Sequence, residues 1–137
     1  MLDFKRIEQA IASAEVQTSG EIRVYVEQKV NGEVLDRAAE IFEKLEMHKT
    51  ALRNGVLFYL ATKDRKFAIL GDAGINARVG QDFWREIKES MINLLKKEEF
   101  DQALEVGIQM AGKALSSHFP FDAQTDKNEL SNEIVVG

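Results

Sequence analysis

Apolar residues follow two spacings along the N-terminal third of the chain, one helical and one extended. From Asp3 to about Gln17 they recur every three or four residues, which predicts an amphipathic helix. Residues 21–27 alternate between apolar and polar side chains, as a strand with one buried face does. Residues 35–47 return to helical spacing after a turn signal at Asn31-Gly32. This part of the sequence therefore predicts helix, strand and helix in that order.

A hairpin is predicted in the middle of the chain. The continuous apolar run from Gly55 to Thr62 is typical of a central strand that is covered on both faces. Residues 63–66 are polar, and residues 67–70 are apolar again. Because only a short turn separates the two apolar runs, we expect them to pair as antiparallel strands.

Two more amphipathic helices are predicted after the hairpin. Apolar residues repeat at helical spacing from Phe83 to Leu95 and again from Phe100 to Leu115. Earlier in the chain, the strand–helix–strand order requires parallel pairing with a right-handed crossover. The hairpin then adds an antiparallel strand to that pair. The predicted fold class is α/β, a three-layer α/β/α sandwich around a small mixed sheet.

The only proline, Pro120, marks the end of the last predicted helix. It divides the chain into a predicted domain over residues 1–119 and a tail over residues 120–137. From Phe121 onward the tail carries four acidic residues against one basic residue and has no helical pattern. We expect it to be extended or disordered, and docking of residues 134–136 as an edge strand is the alternative.

Composition removes several classes of function. The chain has no cysteine and two histidines, which excludes disulfides, thiolate zinc sites, iron–sulfur clusters and a cysteine nucleophile. The net charge of −5 argues against a nucleic-acid partner. No apolar run reaches the ~18 residues of a membrane helix, and the N-terminal residues lack the apolar core of a signal peptide. A soluble, cytoplasmic protein without a membrane partner is the resulting expectation.

The predicted topology gathers polar residues at one edge of the sheet. If residues 21–27 and 55–62 pair in parallel, their starts lie together, and the antiparallel third strand ends at the same edge. An all-oxygen cluster there suits a hard cation, Ca²⁺ or Mg²⁺, better than zinc. The candidate metal ligands are Glu21, Asp72, Asn76 and Asp82, and the supporting residues are Ser19, Arg53, Asn54 and Gly74.

The same residues also fit a purely structural role. Asp82 lies in the first turn of a predicted helix, where acidic residues commonly cap the backbone. The Asp72 carboxylate would accept hydrogen bonds from backbone N–H groups of a turn, and Arg53 would form an ion pair with Glu21. This structural alternative leaves the cation site open at the level of sequence.

A second candidate region lies at the opposite edge of the sheet. Open α/β sheets usually bind ligands at the carboxyl ends of their parallel strands, which here are Glu27 and residues 62–64. The basic turn at residues 63–66 closes one of those ends. A site there is therefore the less favoured alternative.

Several short motifs occur in an order that is typical of one family. They are Ser19-Gly20-Glu21, Asn54-Gly55-Val56-Leu57, Asp64-Arg65-Lys66, Gly71-Asp72-Ala73-Gly74 and Asp82. On these motifs, roughly residues 3–118 resemble the TPM domain family, which is also described as the thylakoid-lumen-type acid phosphatase domain. The resemblance implies an α/β/α fold, a divalent-cation site, and the phosphatase activity reported for some members.

The sequence also departs from the family pattern. Where the family commonly has G-Y-G-L-E, this chain has Gly71 to Asn76 with an added acid at Asp72 and an amide at Asn76. No side chain is an obvious phosphoryl nucleophile. We therefore expect a domain that binds a divalent cation in a regulatory or scaffolding role. The alternatives are a metal-assisted phosphatase acting on a phosphate ester, with Arg53 holding the phosphate and Asp72 orienting water, and a protein-interaction module without metal.

Overall fold

The strands and the long helices form where the hydrophobic pattern predicts them. The computed structural model describes residues 2–120 and 132–137. In chain order the elements are α1 (Phe4–Glu15), β1 (Glu21–Glu27), α2 (Val34–Lys44), a 3₁₀ turn (Met47–Lys49), β2 (Gly55–Ala61), β3 (Lys66–Gly71), α3 (Ala73–Asn76), α4 (Gln81–Lys96), α5 (Phe100–His118) and β4 (Val135–Val136).

The strands form one mixed sheet in the order β3-β2-β1-β4. β1 and β2 pair in parallel, with Glu21 opposite Gly55 at their starts. β3 runs antiparallel to β2 and ends with Gly71 opposite Val56. The predicted parallel pair and hairpin are therefore confirmed. The starts of β1 and β2 and the end of β3 lie together, and we call this the strand-start edge of the sheet.

Alternate residues of the strands face opposite layers of helix, as the two-residue period of a strand requires. On one face, Ile22, Val24 and Val26 of β1 belong to a buried cluster with α1, α4 and α5. On the other face, Tyr25 and Tyr59 pack against the apolar side of α2. β2 is buried at every position, as its continuous apolar run predicts. Two helical layers with a sheet between them confirm the α/β/α sandwich.

The C-terminal residues that the structure describes pack against the domain. Val135 and Val136 pair in parallel with β1, which is the edge-strand alternative of the sequence analysis. Ile134 is buried, and its backbone N–H donates to a carboxylate oxygen of Glu8 at 3.2 Å. Most of the predicted acidic tail, residues 121–131, lies outside the described residues. The proposed boundary at residue 120 stays a prediction.

Candidate functional site

Asn54 joins the starts of β1 and β2. Its backbone carbonyl accepts from the N–H of Glu21 at 3.2 Å, and its side-chain amide nitrogen donates to the carbonyl of Ser19 at 3.0 Å. The residue is 1% exposed, and its side-chain oxygen, Oδ1, has no hydrogen-bond partner among the described residues. A buried acceptor without a partner costs about 1–3 kcal/mol, so this oxygen requires a partner such as a bound water or an ion.

Asp72 lies where β3 ends and α3 begins. Its N–H donates to the carbonyl of Gly55 at 3.0 Å, which fixes the end of β3 beside the start of β2. Its carboxylate accepts from the N–H of Ala73 at 2.7 Å and so caps the short helix α3. The cap confirms the part of the structural alternative that assigns Asp72 to turn amides.

Arg53 makes a two-pronged ion pair with Asp72. Its Nε and Nη2 atoms lie 2.7 Å from the two carboxylate oxygens. The Asp72 side chain is 5% exposed, whereas that of Arg53 is 49% exposed. Burial raises the pKa of the Asp72 carboxyl, but the hydrogen bonds from Arg53 and Ala73 outweigh it and hold that pKa below its ordinary value. The pairing with Glu21 that the structural alternative expects for Arg53 is replaced by this one.

The loop that carries Arg53 is held tightly against α3. Arg53 has a φ of 51°, in the left-handed region that costs a residue with a side chain roughly 1–2 kcal/mol. The N–H of Gly74 donates to the Arg53 carbonyl at 2.9 Å. A Cβ atom on Gly74 would lie 2.6 Å from that same oxygen, so only glycine fits. Gly74 therefore supports the site by allowing this close approach.

Asn76 is oriented by two hydrogen bonds across the end of β3. Its amide nitrogen donates to the carbonyl of Gly71 at 3.0 Å, and its Oδ1 accepts from the indole N–H of Trp84 at 3.2 Å. The Trp84 ring packs against Gly71, where a Cβ atom would come within 2.4 Å of it. Asn76 thus presents its oxygen beside the only tryptophan of the chain.

The two remaining carboxylates differ in their surroundings. Glu21 is 3% exposed at the start of β1. Asp82 is 82% exposed and pairs with Arg85 of the same helix at 3.0 Å. The N-cap of α4 is Gly80, so Asp82 does not have the capping role that the structural alternative gives it. Of the predicted ligands, Glu21 and Asp72 lie buried at the strand-start edge with Asn54, whereas Asp82 extends into solvent.

Oxygen donors dominate the strand-start edge. Two buried carboxylates, Glu21 and Asp72, lie at the ends of the strands on either side of β2, which Asn54 precedes, and the side-chain oxygen of Asn54 has no hydrogen-bond partner among the described residues. In residues 2–120 and 132–137, no group of three or more His, Cys, Asp or Glu side chains is placed to hold a metal ion. A cation here would complete its shell with amide or backbone oxygens and water, as Ca²⁺ and Mg²⁺ do. The donor chemistry fits those ions and does not fit zinc.

The opposite edge of the sheet contains an ion-pair network that the sequence analysis missed. Arg37 of α2 donates to Glu27 at 2.9 and 3.1 Å, and the hydroxyl of Tyr59 donates to the same carboxylate. The hydrogen bond from Arg37, and to a smaller extent that from Tyr59, lowers the pKa of Glu27. Burial raises the pKa of Tyr59. Tyr25 stacks on Tyr59 with 6.0 Å between ring centres. The Glu27 carboxylate is thus already occupied by partners from its own chain.

One signal in the sequence could have indicated this network. The two-residue period of β1 places Glu27 on the same face as Tyr25, toward α2. An acid at the end of a buried strand face needs a basic partner, and Arg37 is the basic residue near the start of the helix that covers that face.

A family model for the TPM domain matches residues 3–114. The chain belongs to the TPM domain family. The family resemblance drawn from the sequence motifs is therefore confirmed. No curated protein matches the chain.

Two solved structures show how far this TPM domain resembles others. The BA42 protein of the psychrophilic bacterium Bizionia argentinensis is 42% identical, with a TM-score of 0.93 over 100% of this chain and 96% of that one. The N-terminal domain of the cg2496 protein of Corynebacterium glutamicum is 11% identical, with a TM-score of 0.65 over 96% of this chain and 76% of that one. The second likeness is one of fold alone.

Proposed function

We propose that this TPM domain binds a divalent cation, Ca²⁺ or Mg²⁺, at the strand-start edge and serves a regulatory or scaffolding role. The observation that carries the proposal is the buried Oδ1 of Asn54, which has no hydrogen-bond partner among the described residues. A cation would use this lone pair and would be attracted by the carboxylates of Glu21 and Asp72 at the ends of the neighbouring strands. It would thereby supply the partner that the buried Asn54 oxygen lacks among the described residues.

Asn76 and Asp82 differ in how readily they would join as ligands. The Oδ1 atom of Asn76 accepts one hydrogen bond, from Trp84, and keeps a second lone pair. Asp82 would have to leave its pair with Arg85 and turn from solvent toward the edge. We therefore expect Asn76 to contribute more to cation affinity than Asp82 does.

The cation site can be tested by titration with Ca²⁺ and Mg²⁺ while Trp84 fluorescence and backbone amide shifts are recorded. Because the Trp84 indole donates to Asn76, a cation that engages Asn76 should change the fluorescence. Amide shifts should be concentrated at Glu21, Asn54 and residues 72–76. Shifts confined to residues 63–66, or no saturable change with either ion, would contradict the proposal.

Substitutions should then identify the ligands. Glu21→Gln and Asp72→Asn each remove a charge while keeping the shape of the side chain, and each should weaken binding by about tenfold or more. Asp36→Asn removes an exposed carboxylate from the first turn of α2 and serves as the control. Equal affinities in all four proteins, the wild type included, would exclude this ligand set.

A metal-assisted phosphatase is the second candidate function. It is favoured by Arg53, whose half-exposed guanidinium lies next to a candidate cation ligand and could bind a phosphate ester. Uncatalysed phosphomonoester hydrolysis is so slow that an enzyme supplies an acceleration of up to ~10²¹. The described residues of this edge include no activated nucleophile. An aryl phosphate assay with and without cation tests it. A rate that survives Asp72→Asn would count against catalysis at this site.

Three further expectations stay predictions. They are the cytoplasmic location, the absence of a nucleic-acid partner, and the interaction module without metal as a third possible role. No helix within the described ranges is long and apolar enough to cross a membrane.

A further inference from the structure

The Arg53–Asp72 ion pair joins a buried carboxylate to a half-exposed guanidinium. Both carboxylate oxygens of Asp72 are taken by the guanidinium at 2.7 Å. We propose that Arg53 is an internal counter-ion for the cation site: it neutralises Asp72 in the empty site, and a divalent cation displaces its side chain on binding. This inference rests on the proposed function and concerns the regulation of the same site.

The asymmetry of exposure supports an exchange. Asp72 is 5% exposed, and it is further anchored by the N–H of Ala73 at 2.7 Å. A carboxylate buried to that extent is strongly destabilising without a positive partner. The Arg53 side chain is 49% exposed, so its guanidinium can turn into water and regain its hydration. One cation can therefore replace the other while the acid stays in place.

The exchange requires no movement of the backbone. The Arg53 N–H donates to the carbonyl of Thr50 at 3.2 Å, and its own carbonyl accepts from Gly74 at 2.9 Å. These bonds hold the loop in its left-handed conformation at Arg53, whichever way the side chain points. Displacement is thus a rotation about side-chain bonds, which exposed residues make within picoseconds to nanoseconds.

Two other two-pronged arginine pairs in the described residues lack this asymmetry. In the Arg37–Glu27 pair both side chains are mostly buried, at 24% and 12% exposure. In the Arg6–Glu105 pair both are partly exposed, at 44% and 27%. The second pair has the same fork geometry, at 2.9 and 3.0 Å, and lies on α1 and α5, which carry none of the candidate ligands. Arg6 therefore provides a matched control.

The exchange makes a specific prediction for two substitutions. Arg53→Gln removes the competing charge, so the apparent affinity for Ca²⁺ or Mg²⁺ should rise by at least about threefold. Arg53→Lys keeps the charge but loses the fork that grips both oxygens, so its affinity should lie between those of the wild type and Arg53→Gln. If Arg53 acted on the cation only by charge repulsion, without its contact to Asp72, Arg53→Lys would instead bind the cation as tightly as the wild type does. Arg6→Gln should bind as the wild type does.

The displacement itself can be observed by NMR. In the metal-free protein the Arg53 Nε–H should exchange slowly with water, because it donates to Asp72. At saturating cation its signal should move and its exchange should become faster, while the Arg6 Nε–H stays unchanged.

The outcomes separate this inference from the proposed function. Saturable binding by the wild type together with equal or weaker binding by Arg53→Gln, or an unchanged Arg53 Nε–H signal at saturation, would overturn the exchange alone. Binding that appears only in Arg53→Gln would support it in its strongest form. Absence of binding in every variant would overturn both proposals.

Discussion

A methyl group on Gly74 would lie 2.1 Å from the backbone carbonyl oxygen of Leu52. This contact is far inside van der Waals distance and involves backbone on one side, so it cannot be relieved by rotation of a side chain. The absence of that methyl group lets α3 pack directly against the loop that carries Arg53 and Asn54. The position of those two residues therefore depends on the absence of a side chain at Gly74.

We expect Gly74→Ala to lower the free energy of unfolding by about 1–3 kcal/mol, although alanine is otherwise the better helix former. Cation affinity should fall with it, because the Arg53 loop must move away. Urea denaturation and the Trp84 titration measure the two effects. Gly80→Ala is the control for the steric contact, since a Cβ there meets no atom within 4 Å beyond its chain neighbours, and loss of the N-cap glycine of α4 should cost less than about 1 kcal/mol. Equal losses in the two variants would contradict this account.

The Arg37–Glu27 pair should contribute more to stability than its exposed counterpart does. Arg37→Ala leaves a carboxylate of 12% exposure, whose remaining side-chain hydrogen bond within residues 2–120 and 132–137 comes from the Tyr59 hydroxyl. We expect a loss of about 1–3 kcal/mol in the free energy of unfolding. Arg6→Ala removes the same fork from a solvent-exposed pair and should have little effect. Chemical denaturation of both variants at the same pH makes the comparison, and similar losses would refute it.

Glu15 should make stability depend on pH near neutrality. Burial raises the pKa of this carboxyl from 4.5 to about 7, although the hydrogen bond from the Ile22 N–H opposes the shift. In the unfolded chain the carboxyl ionises at lower pH, so the folded protein binds the extra proton between about pH 4.5 and pH 7. The contribution of Glu15 to stability therefore falls as pH rises through that window.

Glu15→Gln removes the charge and keeps an acceptor for Ile22. The variant should be more stable than the wild type by about 1–2 kcal/mol at pH 8, after allowance for partial exposure of the side chain. The difference should shrink toward zero at pH 4.5. Urea midpoints at the two pH values provide the measurement, with Glu43→Gln as an exposed control. A difference that does not change with pH would exclude Glu15 as its source.

The C-terminal residues should be part of the cooperative fold. Ile134 is 9% exposed and belongs to the cluster under α1, so Ile134→Ala should lower the free energy of unfolding by about 2 kcal/mol. Val136 is 60% exposed and pairs with β1 through its backbone, so Val136→Ala should change the free energy of unfolding little. Thermal unfolding distinguishes the two. No effect of Ile134→Ala would mean that this segment does not contribute to the core.

Hydrophobic periodicity was sufficient to predict β1, β2 and β3, whereas the pairing of β4 was only an alternative. The alternation in residues 21–27 coincides with the bounds of β1 to the residue, and the apolar run from Gly55 predicts the buried β2. Parallel pairing then followed from the helix between them. From this topology alone, Glu21, Asn54 and Asp72 could be assigned to one edge, because strand direction fixes which ends meet.

Side-chain partners could not be predicted in the same way. The topology places both Glu21 and Asp72 at the same edge as Arg53, and the pairing of Arg53 with Asp72 emerges only in the structure. Asp82 lies in the first turn of α4, as its position in the sequence predicts, but its side chain extends into solvent and pairs with Arg85. The helix α2 was predicted to end near Met47, but it ends at Lys44. The sequence did not indicate this earlier end, because the residue with a positive φ that follows the helix is Glu46 and not a glycine.

The burial of β2 on both faces also has a consequence for the chain before it folds. Its seven residues, GVLFYLA, contain no charge and no proline, which is the composition of segments that self-associate into cross-β aggregates. Charged residues lie close to both of its ends: Arg53 is two residues before it, Lys63, Asp64 and Arg65 follow in the hairpin turn, and Lys66 begins β3. Such charges oppose intermolecular stacking of an exposed apolar strand. The hairpin turn thus protects the nascent chain during the interval when its central strand is still accessible to other molecules.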